Sequence, residues 1–274
     1  MGNRFWKHAI LPLGTAALVV GGVHLLAAAT WDRTVAYTDL FIRSRKLDPQ
    51  KGDYTVAFLT DLHNAPESRL WDIVDNLNRR HLDAVLLGGD FLFAKEGAAR
   101  TLDVLKYIRT GDGIWGVRGN HDRENGLFAA MEQRGMRPLC NSGTQLREDI
   151  YLAGVDDLRT GWPDTDKALA GAGKEQLTVL LSHHPDVAMN PGRKRADLVL
   201  SGHTHGGQIT MFGLWTPTLT WTKHITRYGG RFRGGWARTP LSNHVYVSRG
   251  IGSHSCAPRV FARPQVVCLH LQGR

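Results

Sequence analysis

The chain has 274 residues, 42% of them apolar and 22% charged, with a net charge of +9. That balance supports an ordinary buried core and excludes a disordered or collagen-like chain. Its three cysteines, Cys140, Cys256 and Cys268, are widely spaced and odd in number, which argues against a disulfide framework or a zinc knuckle.

The first element is an uncharged run from His8 to Trp31, preceded by Arg4 and Lys7. As a helix, this run reaches roughly 36 Å, enough to cross a hydrocarbon core of about 30 Å. Residues 1–31 are therefore expected to form an N-terminal transmembrane helix, a single-pass anchor in the cell membrane. The alternative is a signal peptide cleaved near Ala27-Ala28-Ala29. Arg33, Arg43, Arg45 and Lys46 follow the run and outnumber the two basic residues before it, which places the bulk of the chain on the cytoplasmic side. Residues 32–53 read as a linker, either a juxtamembrane amphipathic helix or an edge strand, and 54–274 as one domain.

From Tyr54 onward strands alternate with helices. Tyr54–Thr60, Asp83–Leu87 and Gly113–Val117 are β-rich runs. Between and after them, Glu67–Arg80, Ala98–Arg109 and Asn125–Gly135 carry apolar residues at three- and four-residue steps. The alternation predicts an α/β fold with a largely parallel sheet. Shorter extended runs follow at Arg137–Cys140, Gln145–Arg147, Ile150–Val155, Leu177–Leu181 and Asp197–Leu200. Trp215–Pro240 reads as a long loop, and Val245–Val247 and Val266–Leu271 as closing strands.

The strand ends carry the chemistry. They bear Asp61, His63, Asp90, Asn120, His121, His183, His203 and His205. Taken singly, each has an ordinary explanation: an Asp caps a helix and an Asn tolerates a turn. Eight in series, at the strand ends where open α/β sheets hold ligands, point to one site. His203 and His205 stand two apart, so both rings face the same way in extended chain. Gly202, Gly206 and Gly207 let the backbone turn sharply beside them. Imidazole, carboxylate and amide without thiolate suit two divalent transition-metal ions, Mn2+ first, with Fe or Zn2+ as alternatives. A carboxylate after two glycines, Asp90, is placed to bridge them. Such a pair generates hydroxide from water and clamps a phosphate for in-line displacement. His121 is placed to protonate the departing oxygen, with Asp122 to orient it.

The blocks Asp61-x-His63, Gly88-Gly-Asp90, Gly119-Asn-His-Asp122, Ser182-His183 and Gly202-His-Thr-His205 resemble those of the calcineurin-like metallophosphoesterase superfamily. The resemblance covers about residues 54–271. It implies a four-layer αββα sandwich of two mixed sheets. It further implies that Asp61, His63, Asp90 and His205 hold one metal, that Asp90, Asn120, His183 and His203 hold the other, and that His121 is the catalytic histidine. The finer likeness, carried by Gly202–Gln208, Tyr246–Gly250 and Arg263-Pro264, is to bacterial membrane-associated members similar to UDP-2,3-diacylglucosamine pyrophosphatases of lipid A biosynthesis. Two departures bear on substrate choice: His184 stands where Asn is usual, and residues 253–258 (SHSCAP) replace a small, aliphatic segment.

The charge excess lies entirely after Asp197, where nine basic and no acidic residues occur. This favours an anionic partner. Arg227, Arg231 and Arg233 are the candidate phosphate-binding residues, and Trp215, Trp221, Tyr228, Phe232 and Trp236 are placed to meet a headgroup region. The expected substrate is thus a phosphorylated small molecule or lipid, with a membrane as partner. A membrane-tethered nuclease or nucleotide phosphodiesterase is the alternative, because basic and aromatic residues interleave; the anchor speaks against nucleic acid. A non-catalytic scaffold would lack ligands, and none is missing. The sequence gives no basis for an oligomeric state.

Overall fold

The computed structural model describes residues 2–30, 33–63, 65–92, 98–123, 126–190, 192–221, 223–242, 244–254 and 257–274. Helix α1 (Gly2–Ala29) precedes strand β1 (Ala36–Ser44). Then come β2 (Tyr54–Leu59), α2 (Glu67–Asn78), β3 (Ala84–Leu87), α3 (Ala99–Leu105), β4 (Ile114–Gly116), α4 (Leu127–Glu132) and β5 (Arg137–Pro138). The second half supplies β6 (Ser142–Arg147), β7 (Ile150–Gly154), α5 (Thr165–Ala168), β8 (Leu177–Leu181), β9 (Leu198–Ser201), α6 (Pro217–Trp221), β10 (Gly235–Ala237), β11 (His244–Val247) and β12 (Gln265–Gly273).

The strands form two six-stranded sheets, β1-β12-β2-β3-β4-β5 and β10-β11-β9-β8-β7-β6. Both are mixed. In the first, β2, β3 and β4 run parallel while β12 pairs antiparallel with β2; in the second, β7, β8, β9 and β11 run parallel, flanked by antiparallel β6 and β10. The alternation of side chains along each strand decides which layer they fill. In β2, Val56 and Phe58 face the other sheet and share a core layer with Val179 and Leu181 of β8 and Leu198 and Leu200 of β9. Ala57 and Leu59 face the opposite way, toward Leu70, Ile73, Val74 and Leu77 of α2. A strand covered on both faces reads as a continuous apolar run, which is why β2, β3, β8 and β9 stand out in the sequence. The outer layer on the second sheet is thin. Ala168, Leu169, Val187 and Phe232 cover it from short helices and turns, against Leu180 and Val199.

One feature differs from the sequence reading and one decides between its alternatives. Among the described residues no helix is long and apolar enough to cross a membrane. The single-pass anchor expected for residues 1–31, and the membrane placement built on it, are corrected accordingly. Gly21, Gly22 and His24 interrupt the apolar run, and His24 is turned onto the domain. Its ring lies 4.6 Å from that of Phe212 and 5.0 Å from that of Phe261, while Nδ1 bonds to the Val20 carbonyl at 2.7 Å. Second, within residues 32–53, read as an amphipathic helix or an edge strand, Ala36–Ser44 takes the edge-strand alternative: β1 runs parallel to β12 along its whole length. Its mixed exposure, with Phe41 stacked on His270, blurs the period that would have announced it.

Candidate metal centre

Strands β2, β3, β4, β8 and β9 deliver their carboxyl ends to one place, and the chain turns abruptly there. Asp61, His63, Asp90, His203 and His205 all have left-handed backbone, with φ of 52°, 40°, 55°, 70° and 52°. For a non-glycine residue this conformation costs of order 1 kcal/mol or more, and such strain gathers at functional sites. The turns aim the side chains inward while the strands stay in register. Gly89 makes the Asp90 turn feasible: its φ is +89°, and a Cβ there would meet the Gly119 nitrogen at 2.5 Å.

The side chains form two buried groups, Asp61–His63–His205 and Asp90–His183–His203, each with its ligand atoms within 4.8 Å of one another. In the first, His63 Nε2 lies 3.0 Å from His205 Nε2, which lies 3.4 Å from Asp61 Oδ1. In the second, His183 Nε2 lies 3.3 Å from His203 Nδ1. Asp90 Oδ2 joins them, 3.4 Å from His63 Nε2 and 3.1 Å from His183 Nε2. Its other oxygen accepts from the His121 backbone N–H at 2.8 Å. Asn120 is buried, and its Oδ1 has no hydrogen-bond partner among the described residues. A buried amide oxygen left without a donor is costly, and a cation satisfies it.

The outer ring nitrogens are fixed. His63 Nδ1 donates to the Leu92 carbonyl at 3.0 Å, His183 Nδ1 to the Gly88 carbonyl at 2.8 Å, and His203 Nε2 to the Ile225 carbonyl at 2.8 Å. Each bond puts the proton outside and turns the lone pair inward, as a metal-ligating imidazole requires. Against His205 Nδ1 packs the buried guanidinium of Arg259, at 3.1 Å. Burial brings His63 down to about 4 and carries His203 and His205 well below the usual range, so these rings are neutral near pH 7. Burial also works to lower His183, but the Asp90 carboxylate outweighs it and lifts His183 to about 10. Asp90 shows the reverse: burial raises it, and the charge and hydrogen bond of His183 hold it well below the ordinary carboxylate range. Asp61 is pushed by burial up to about 6, against the charge of His183. A cation would take the place of the proton on His183.

A cavity of about 270 Å³ opens over the cluster, and His121 lines it together with Asp90 and Asn120. Burial lowers His121 while Asp90 works to raise it, with a net fall. Asp122 is placed differently from the sequence reading. Its carboxylate accepts from four backbone N–H groups: Asp90 (2.7 Å) and Gly119 (2.8 Å) on Oδ2, Phe91 (2.8 Å) and Leu92 (3.3 Å) on Oδ1. It clamps the Asp90 turn onto the Gly119 turn; orienting His121 is not what those bonds do. Burial, then the charge of Asp90, pushes Asp122 up to about 7.

The three arginines expected to hold phosphate do not line this cavity. Arg227 lines a separate cavity and its backbone N–H binds Asp186; Arg231 reaches Met189 Sδ at 3.7 Å; Arg233 gives its carbonyl to Thr204. In their place stands Arg159, which no motif announced. His254, in the segment that departs from the family pattern, also faces the cluster, 5.3 Å from the His121 ring. Of the aromatic residues, Phe232 is fully buried while Trp215, Tyr228 and Trp236 are partly exposed. The side chain of Trp221 and residues 255–256 lie outside the described residues.

Comparison with known proteins agrees with this geometry. Residues 54–207 match the family model described as calcineurin-like phosphoesterase. The chain is 25% identical to the uncharacterized metallophosphoesterase YkuE of Bacillus subtilis (strain 168), over 99% of this chain and 97% of that one. It is 30% identical to the transmembrane protein with metallophosphoesterase domain of Danio rerio, over 94% of this chain and 61% of the relative. It is 29% identical to an uncharacterized metallophosphoesterase of Helicobacter pylori (strain ATCC 700392 / 26695), over 82% of this chain and 61% of the relative. The chain thus spans nearly the whole of the Bacillus relative and about three fifths of the other two. It belongs to the calcineurin-like phosphoesterase family, a family of hydrolases.

Proposed function

We propose that this member of the calcineurin-like phosphoesterase family hydrolyses a phosphodiester or pyrophosphate bond at a centre of two divalent cations. The supporting observation is that one oxygen, Asp90 Oδ2, lies within 3.4 Å of an imidazole nitrogen from each of the two buried ligand groups. In this reading Asp61, His63, Asp90 and His205 hold one cation and Asp90, Asn120, His183 and His203 the other. The mixed nitrogen and oxygen set, without thiolate, suits Mn2+, with Fe or Zn2+ as alternatives. When bound, the cations supply the charge that makes water acidic and neutralises phosphate oxygens.

The protein's own groups do the rest. Asp90 keeps its carboxylate ionised because the nearby imidazoles and the His121 N–H favour the charged form. His121, neutral and on the cavity wall, offers an N–H to the phosphoryl or departing oxygen as the bond to phosphorus breaks. The left-handed turns keep the ligand side chains in place, so no reorganisation is needed at the moment of reaction.

The test is hydrolysis of bis-p-nitrophenyl phosphate by the full chain with Mn2+. Chelator-sensitive turnover supports the reading, and turnover indifferent to chelation contradicts it. A panel of nucleotide diesters and UDP-2,3-diacylglucosamine then separates a nucleotide phosphodiesterase from a lipid-linked pyrophosphatase.

A further inference from the structure

Two cavities flank the short segment 156–162. One is the 270 Å³ cavity over the ligand cluster, which Arg159 lines. The other, about 790 Å³, is lined by Leu158 and Trp162 of the same segment, and by Met189, Asn190, Arg227 and Tyr228. The cavities share a second wall as well, since Ile225 borders the first and Arg227 the second. We propose that Arg159 grips the phosphoryl oxygens of the substrate, and that the larger cavity receives its organic group, a nucleoside or comparable polar, planar group. The proposal rests on the phosphoesterase reading and extends it to the substrate class.

The segment is held rigidly. Asp156 accepts from the Arg118 guanidinium, from the Asp157 N–H at 2.9 Å and from the Trp162 N–H at 3.1 Å. Arg118 lies two residues before Asn120, so this ion pair ties the segment to the ligand cluster. Asp157, 1% exposed, accepts on Oδ1 from the N–H groups of Arg159 and Thr160, both at 2.9 Å. Asn141 Nδ2 donates to the Trp162 carbonyl at 2.7 Å. The backbone on either side of Arg159 is therefore pinned, while its guanidinium has no carboxylate partner among the described residues. Arg118 is paired with Asp156, and Arg259 is occupied by backbone carbonyls. Among the described residues Arg159 is the arginine that lines the cavity, and its charge reaches His184, whose ring packs 4.1 Å from that of His203. A guanidinium on the wall of this cavity, without a carboxylate partner among the described residues, can match two phosphoryl oxygens at once.

The larger cavity has the size of an ordinary small-molecule site. Trp162 is held by both its backbone N–H and its carbonyl, yet its side chain leaves it 87% exposed. An uncovered indole on a pinned backbone offers a face on which a flat ring can stack. Asn190, Lys167 and Asp166 on the walls offer hydrogen bonds to ring edges and hydroxyls. An acyl chain would bury those groups without partners, which decides for a polar occupant over a lipid tail.

The experiment uses the full chain with Mn2+ and two diesters that share p-nitrophenolate as leaving group: methyl p-nitrophenyl phosphate and thymidine 5′-(p-nitrophenyl phosphate). Arg159→Ala is expected to lower kcat/KM for both by about 30-fold, the effect of losing a charge-assisted hydrogen bond, with Arg159→Lys recovering part. Trp162→Ala is expected to reduce the preference for the thymidine ester by about 10-fold. Melting temperature and metal content stay unchanged in all three, since these side chains hold neither the core nor a ligand. Arg159→Ala at wild-type rates, or a Trp162→Ala loss equal on both esters, overturns the proposal while leaving the phosphoesterase reading intact. A wild type that cleaves bis-p-nitrophenyl phosphate but shows no preference for the thymidine ester overturns this proposal alone; one that cleaves none of the diesters and no pyrophosphate with Mn2+ sinks the phosphoesterase reading with it.

Discussion

Replacing Asp122 by Ala separates a structural clamp from a catalytic partner. The carboxylate meets four N–H groups on two turns, three of them within 2.8 Å, and the residue is 1% exposed. Removing it leaves buried donors unsatisfied at roughly 1–3 kcal/mol each, and water entering the space left behind recovers part. The expected loss is about 4 kcal/mol. With an unfolding entropy of about 2 cal/mol/K per residue, that lowers the melting temperature of a chain this size by about 7 °C. Asp122→Asn keeps one acceptor oxygen and loses about half as much. Scanning calorimetry on both variants, beside turnover of bis-p-nitrophenyl phosphate, checks the magnitude. An Asp122→Ala protein that melts within a degree of wild type yet turns over a hundredfold more slowly refutes the clamp and restores Asp122 as the partner of His121.

His121→Ala is expected to lower turnover by roughly 10²-fold or more while metal content holds; an unchanged rate removes His121 from the mechanism. Gly89→Ala forces a Cβ to within 2.5 Å of the Gly119 nitrogen at a φ of +89°, so it is expected to cost several kcal/mol by strain and backbone displacement, read as a lowered urea midpoint. On the acid side, hydrogen bonds from Arg134 and Lys106 hold the Asp103 carboxyl down at about 2, below the roughly 3.9 of an unfolded chain. The stability this pairing gives is fully present above about pH 4 and is lost as pH falls through 2. Asp103→Asn should flatten that part of the acid limb in a pH series of melting temperatures, and an unaltered slope would refute the pairing.

The sequence made the site legible because metal chemistry restricts residue type and strand ends restrict position. Asp61, His63, Asp90, Asn120, His183, His203 and His205 were all readable by that route, and the structure brings them together. What local pattern did not carry was geometry decided by distant partners. Asp122 sits beside His121 in the chain, but its acceptor oxygens serve the Asp90 turn, 32 residues upstream. Arg227, Arg231 and Arg233 stand out in the sequence by composition alone, and composition does not say which loop faces the cavity. Arg159 carries no motif; the bonds that pin it come from Asp156, Asp157 and Asn141. Strand β1 is ambiguous because none of its residues is fully buried: Tyr37 packs on one core layer, Leu40 and Ile42 on the other, and Phe41 stays exposed, so no clean alternation results. The N-terminal run has the length of a membrane span, and its interruptions at Gly21, Gly22 and His24 stand in the sequence, but the contacts of His24 with Phe212 and Phe261 belong to tertiary structure.

The most direct measurement is the metal content of the untagged full chain, equilibrated with Mn2+ and dialysed, by inductively coupled plasma mass spectrometry. Two ligand groups sharing Asp90 predict about two ions per chain for wild type and about one for Asn120→Ala combined with His203→Ala. A wild-type protein that hydrolyses diesters at full rate while holding no divalent ion would contradict the account.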